Sequence, residues 1–314
     1  MKKIAFIFGV SGQDGSYLSH LLLKKDYKVI GFTRKKNKRN LINLLRLKIY
    51  KRIKFIEYKN FSNVKINFLK NIPDHIYFLA GASSVANSFQ QPIDTYKSNI
   101  LMLINILEYC RERNLKTNIY NACSTDCFGG NNKRSCNEKT LFSPLSPYSK
   151  SKAFNFKLIK FYRENFDMNC CSGILSNHES PLRKNDFVTR KILDYVNNFD
   201  GKKKLKLGNI NIFRDWGWAP DYVEAIYKIN SLKMKDDFIV ATGKSNSLNC
   251  IVKKIFLKKN IPISFLETNI KKYIRLKEIK SIKCNPKKIK KIIKWKSRKN
   301  IDQIIQKLLN NEIF

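Results

Sequence analysis

The opening residues, MKKIAFIFGVSGQDG, constrain the fold more than any other stretch. A short apolar run ends in glycines spaced Gly9-x-x-Gly12-x-x-Gly15, and residues 14–25 then carry Tyr17, Leu18, Leu21 and Leu22 at helical spacing. The pattern predicts a strand, a tight turn and a helix. Glycines at such a turn let the backbone approach a pyrophosphate, which the helix N-terminus attracts, so Gly9, Gly12, Gln13, Asp14 and Gly15 are expected to hold a dinucleotide. A basic front and an apolar stretch also resemble a signal peptide. The apolar run is too short for one and lacks a convincing cleavage site, and no run reaches the length of a membrane span. The expected location is the cytoplasm, without a membrane partner.

Further along, apolar runs at 27–33, 52–58, 75–81, 117–123 and 168–175 read as strands, alternating with helical patterns that include 96–112 and 147–165. Such alternation implies a doubly wound parallel sheet of the Rossmann type. After residue 176 the rhythm breaks into shorter, mixed elements. Residues 1–175 are therefore expected to form the dinucleotide-binding domain. Residues 176–314 are expected to form mainly a smaller mixed α/β substrate-binding lobe, interleaved with the first.

The formal net charge of +38 raises the question of a nucleic-acid partner. Lysines occur throughout the chain and thicken only at 283–299, where apolar residues 289, 292, 293 and 295 mark an amphipathic helix. The charge reads as a drift toward Lys, Ile and Asn on all solvated faces, with attraction of small anions as a by-product. The eight cysteines form no CxxC pair and no cluster of metal spacing, so no metal is expected.

The second strand should end at Thr33-Arg34-Lys35-Lys36, with no acid to hold a ribose 2′-hydroxyl. Arginine suits a 2′-phosphate, so Arg34 points to NADP over NAD. The strand at 117–123 delivers Ser124, Thr125 and Asp126 to the carboxyl edge of the sheet, where ligands of such folds bind. Tyr148 and Lys152 stand four residues apart on one helix face. A phenol is a poor base unless a nearby cation favours its anion, and Lys152 offers one. Tyr148 could take a proton from a sugar hydroxyl while hydrogen passes to a nicotinamide, with Ser124 orienting the substrate and Asp126 serving a second proton transfer.

The motifs GVSGQDGSYL (9–18), CSTDCFG (123–129), SPYSKSK (146–152), LSNHESPLR (175–183), FVTRKI (187–192), RDWGWAPDYVEA (214–225) and FIVATG (238–243) follow one another along the chain. In this order they resemble the extended short-chain dehydrogenase/reductases and, within them, the GDP-mannose 4,6-dehydratase family. That resemblance implies conversion of GDP-mannose to GDP-4-keto-6-deoxy-mannose through NADP, with catalysis by Ser124, Asp126, Tyr148 and Lys152. It also implies that His178 and Arg183 help hold the cofactor, along with Leu79, Ala80 and Ser83. Asn177, Arg190, Lys191, Arg214, Arg275 and Glu278, with Ser83, would meet the substrate, and the chain would form a dimer or tetramer.

Several positions depart from the family pattern. Its catalytic glutamate is Asp126 here, its threonine is Ser124, an acidic adenine-side residue is Asn60, and a tyrosine is Asp94. One methylene shortens the reach of Asp126 by about 1.5 Å, which leaves open a relative that oxidises, reduces or epimerises a nucleotide sugar without eliminating water. A non-catalytic nucleotide- or nucleic-acid-binding protein is the third alternative.

Overall fold

The computed structural model describes residues 1–130, 135–274 and 277–314. Its strands are β1 (Ile4–Phe8), β2 (Lys28–Thr33), β3 (Lys54–Glu57), β4 (His75–Phe78), β5 (Asn118–Ser124), β6 (Cys170–Leu175), β7 (Asn177–Glu179), β8 (Leu205–Lys206), β9 (Phe213–Trp218), β10 (Phe238–Val240), β11 (Ser245–Ser247) and β12 (Leu266–Glu267). Seven of them form a parallel sheet in the order β10-β6-β5-β4-β1-β2-β3. Adjacent side chains of β1 point to opposite faces, and both faces are apolar. Ala5 and Ile7 join one core with the helices Gln13–Lys24 and Ala219–Asn230, while Phe6 and Phe8 join another with Met102–Glu112. A strand covered on both sides needs such a continuous apolar run. Each fully buried phenylalanine contributes about 1.5–3 kcal/mol, and Phe8 stacks on Phe32 with centroids 4.4 Å apart.

Strand order reverses between β1, whose next partners are β2 and β3, and β4 on its other side. Phe8 is level with both Phe32 and Phe78, so the carboxyl ends of three strands open into one crevice. The sheet is not built from the first 175 residues alone: β10 pairs with β6 at its far edge. A smaller lobe holds the sheet β11-β9-β7 and the pair β12-β8. Its core includes Ile192, Trp216, Ile251, Phe256 and Ile305.

Two expected helices differ in detail. The segment read as 96–112 starts at Pro92–Tyr96, passes through a π-helical turn at Lys97–Leu101 and becomes α-helical at Met102–Glu112. That turn aims the buried Asn99 inward: Oδ1 accepts from Ala82 N at 2.7 Å, and Nδ2 donates to Ser151 Oγ at 2.8 Å. The lysine-rich helix covers only Lys287–Ile293 and ends at Lys294, whose φ is 55°. Ile289 and Ile293 are buried as expected, but Ile292 is exposed, and Trp295 folds back to donate to Asp221 O at 3.0 Å. Among the described residues no helix is long and apolar enough to cross a membrane, and no group of acids, histidines and cysteines could hold a metal.

Candidate active site

The glycine turn is built by close approach. Gly9 has φ +86°, and a Cβ there would lie 2.9 Å from the Leu79 and Ala80 backbone. A Cβ at Gly15 would lie 2.2 Å from Gly9 O, so the turn and the first helix can meet only without side chains. In front of them opens a cleft of about 910 Å³, which reaches Leu79, Ala80 and Ser83 on one side and Arg34 at the end of β2. This cradle fits a dinucleotide in shape and in charge. Asn60 lines the same cleft, but its side chain caps the helix Phe61–Lys70. Asp94 is exposed on the opposite wall.

Asp14 turns back toward the second lobe. His178 Nε2 lies 3.0 Å from both Asp14 carboxylate oxygens, and Nδ1 lies 2.7 Å from Ser176 O. With a carboxylate at one ring nitrogen and a carbonyl at the other, the surroundings favour the protonated ring, in which both nitrogens donate. Burial pulls the His178 pKa down, yet Asp14 outweighs it and the net shift is upward. Burial likewise raises Asp14, but His178 and Arg183 bring it to about 2. Gln13 completes the joint, donating to His178 O at 3.1 Å and accepting from Ser180 Oγ at 2.8 Å.

Ser124, Asp126, Tyr148 and Lys152 gather where β5 ends beside the helix Pro147–Phe166. Ser146 caps that helix, with a reciprocal bond from Ser149, fixing where it starts. Ser124 Oγ accepts from Asp126 N at 3.2 Å. Burial raises the Tyr148 pKa, Asp126 raises it further, and Ser124 opposes them. Lys152 is buried, its pKa is lowered by that burial, and Nζ donates to Ala122 O at 2.9 Å. The ammonium thus reaches from its helix to the backbone of β5.

On the substrate side the expected residues fall in two groups. Asn177 lies on β7 next to His178, and Arg190 and Lys191 lie in the first turn of the helix Val188–Asn197. Arg190 pairs with Asp194 at 2.9 Å, and Lys191 lies over the Tyr273 ring at 5.2 Å. Arg214 is buried on β9, 3.8 Å from Glu278. Arg275 lies outside the described residues. Arg183 stacks on Phe187 at 3.7 Å and lines the cleft.

Sequence reasoning missed the residues behind these groups. Asp215, next to the flagged Arg214, is buried and accepts from Ser176 Oγ, Thr242 N and Gly243 N. Tyr222 bonds Ser176 at 2.5 Å and stacks on His178 at 4.7 Å. The available signal was an acid beside Arg214 in the short strand Phe213–Trp218, which does not reveal its partners.

A sequence profile described as GDP-mannose 4,6 dehydratase matches residues 6–308. The chain is 33% identical over 342 aligned positions to a GDP-mannose 4,6 dehydratase of Dictyostelium discoideum, covering 99% of this chain and 96% of that protein. It is 32% identical to GDP-mannose 4,6 dehydratase 1 of Arabidopsis thaliana, covering 99% and 90%. The fold matches a dTDP-glucose 4,6-dehydratase of Bacillus anthracis crystallised with NAD, with a TM-score of 0.86, 18% identity and coverage of 98% and 96%.

Proposed function

The chain belongs to the GDP-mannose 4,6-dehydratase family, and from that premise we propose that it converts GDP-mannose to GDP-4-keto-6-deoxy-mannose with loss of water. The observation that carries this reading is the grouping of Ser124, Asp126, Tyr148 and Lys152 at the carboxyl end of β5, two strands along the sheet from β1 and its glycine turn. A bound nicotinamide dinucleotide supplies the chemistry of taking hydrogen from C4 of the hexose and returning it to C6. Gly9, Gly12 and Gly15 admit its pyrophosphate, with Gln13, Asp14, His178 and Arg183 shaping that end of the cleft. Leu79, Ala80 and Ser83 form the wall. Ser124 orients the C4 hydroxyl, and Tyr148 Oη takes its proton once positive charge beside the ring lowers the phenol pKa. Lys152 holds the ribose end. The C4 ketone acidifies C5, Asp126 removes the C5 proton and passes it to the C6 hydroxyl, which departs as water, and a solvent proton is added at C5 as hydrogen returns to C6. Asn177, Arg190, Lys191, Arg214, Arg275 and Glu278 are assigned to the nucleotide-sugar, whose pyrophosphate suits arginine forks.

Arg34 in the cleft wall, with no acid where β2 ends, supports NADP over NAD. The eight free cysteines fit a reducing, cytoplasmic setting. The exposed Phe154 and Phe161 on the helix Pro147–Phe166 suit a homo-oligomer, which light scattering tests.

Substrate deuterated at C4 tests the reaction: the label should appear on C6, with solvent hydrogen at C5. A label left on the cofactor or returned to C4 favours the second reading, in which Asp126 is too short for elimination and the enzyme only oxidises, reduces or epimerises. Asp126→Asn should abolish elimination, and Asp126→Glu should retain or raise it, since a misplacement near 1 Å costs about 10²-fold. Equal rates for Asp126→Asn and the unmodified protein would remove Asp126 from the mechanism.

A further inference from the structure

The buried carboxylate of Glu179 is only 3% exposed, and its Oε2 has two partners on different sides of the site. Thr189 Oγ1, in the first turn of the helix Val188–Asn197, donates to it at 2.7 Å, and Arg183 Nε lies 3.6 Å from it. Arg183 in turn donates to His178 O at 3.3 Å and stacks on Phe187, the residue that starts this helix. Pro181 O, between them, accepts from both Arg46 and Arg190. A buried charge is retained only with partners held close. A shift of about 1 Å at the start of the helix breaks the Thr189 bond and moves the Glu179 carboxylate relative to Arg183, whose Nε is buried with no hydrogen bond among the described residues and faces that charge.

We infer that Glu179 is a positioning residue that joins the cofactor side of the cleft to the substrate helix, so that the two nucleotides bind cooperatively. Resting on the function proposed above, the inference assigns Arg183 to the cofactor and Arg190 and Lys191 to the substrate nucleotide. Neither variant below alters a residue placed against a ligand. Glu179→Gln keeps an acceptor for Thr189 but removes the charge facing Arg183. Thr189→Val cuts the tie to the helix at nearly constant volume.

The test is calorimetric titration of the full chain with GDP, in the absence and presence of saturating NADP⁺. GDP lacks the hexose, so direct contact between sugar and nicotinamide cannot produce the effect. In the unmodified protein NADP⁺ should tighten GDP by at least about fivefold, the lower end of ordinary coupling between sites. The ratio should fall to about 1 in Thr189→Val and decline in Glu179→Gln. A variant that merely loosens the fold weakens each ligand and leaves the ratio alone. A ratio near 1 in the unmodified protein, or one unchanged in either variant, overturns the inference while the proposed function stands. Failure to bind NADP⁺ or NAD⁺ at all overturns both.

Discussion

At the scale of single residues, Asp14 is the least obvious choice for a pyrophosphate site, because a carboxylate there repels the ligand. His178 resolves the conflict by neutralising it, with Arg183 nearby, while Asp215 stands behind through Ser176 and Tyr222. The folded pKa of His178 is raised above 6.5, so its contribution to stability is complete below 6.5 and is lost as pH rises through the raised value. Asp14, lowered from 3.8 to about 2, contributes above 3.8 and loses its effect as pH falls toward 2. Once His178 is neutral the carboxylate faces the pyrophosphate with less compensation. The NADP⁺ dissociation constant should therefore rise at alkaline pH, beyond the raised value. Asp14→Asn leaves burial and Arg183 pulling His178 below its ordinary value and no carboxylate to repel the ligand, so the alkaline break should disappear. A binding curve flat from about pH 6 to about pH 9 in the unmodified protein would show that the pair does not govern affinity.

At the scale of elements, the junction of β1 and the first helix concentrates the constraint. Gly15→Ala forces a methyl group to 2.2 Å from Gly9 O, backbone that has no rotamer to yield. Overpacking of this kind costs about 1–3 kcal/mol. The melting temperature should fall accordingly, and NADP⁺ binding should be lost because the loop that approaches the pyrophosphate must open. Retention of native affinity would mean that the turn does not set the site. This junction was legible in the sequence because its strand is apolar on both faces and its glycines sit where side chains cannot. The same holds for Ser124 and Tyr148, whose placement follows from strand end and helix start. The π-helical turn at Lys97–Leu101 was not legible, since a five-residue departure from the α period arises from Asn99 bonding across to Ala82 and Ser151. Ile292 points outward because Lys294 ends its helix in a left-handed conformation that lysine does not announce. Asp215 and Tyr222 escaped because their meaning lies in contacts between segments far apart in sequence.

At the scale of the whole molecule, the net charge of +38 is the feature least accounted for by fold or site. Its lysines are spread over solvent-facing positions such as Lys54, Lys70, Lys157, Lys206, Lys253 and Lys296, so they act as a field and not as a shaped pocket. Such a field speeds the encounter with a multiply charged nucleotide and contributes little once the ligand is seated among Arg183, Arg190 and Arg214. Screening lengths shrink from about 30 Å at 0.01 M salt to about 3 Å at 1 M. Over that range the association rate for NADP⁺ should drop by roughly tenfold or more. The dissociation rate, set by buried groups, should change less. Turnover at saturating substrate should hold steady while KM rises, since the chemistry proposed for Asp126 and Tyr148 does not involve the distant lysines. Stopped-flow fluorescence across a salt series separates the two rates. If the association rate ignores salt, the lysines supply no steering and serve only to solvate the surface. If duplex DNA binds with a steep salt slope and no nucleotide sugar turns over, the charge belongs to a nucleic-acid partner, and the enzymatic reading falls.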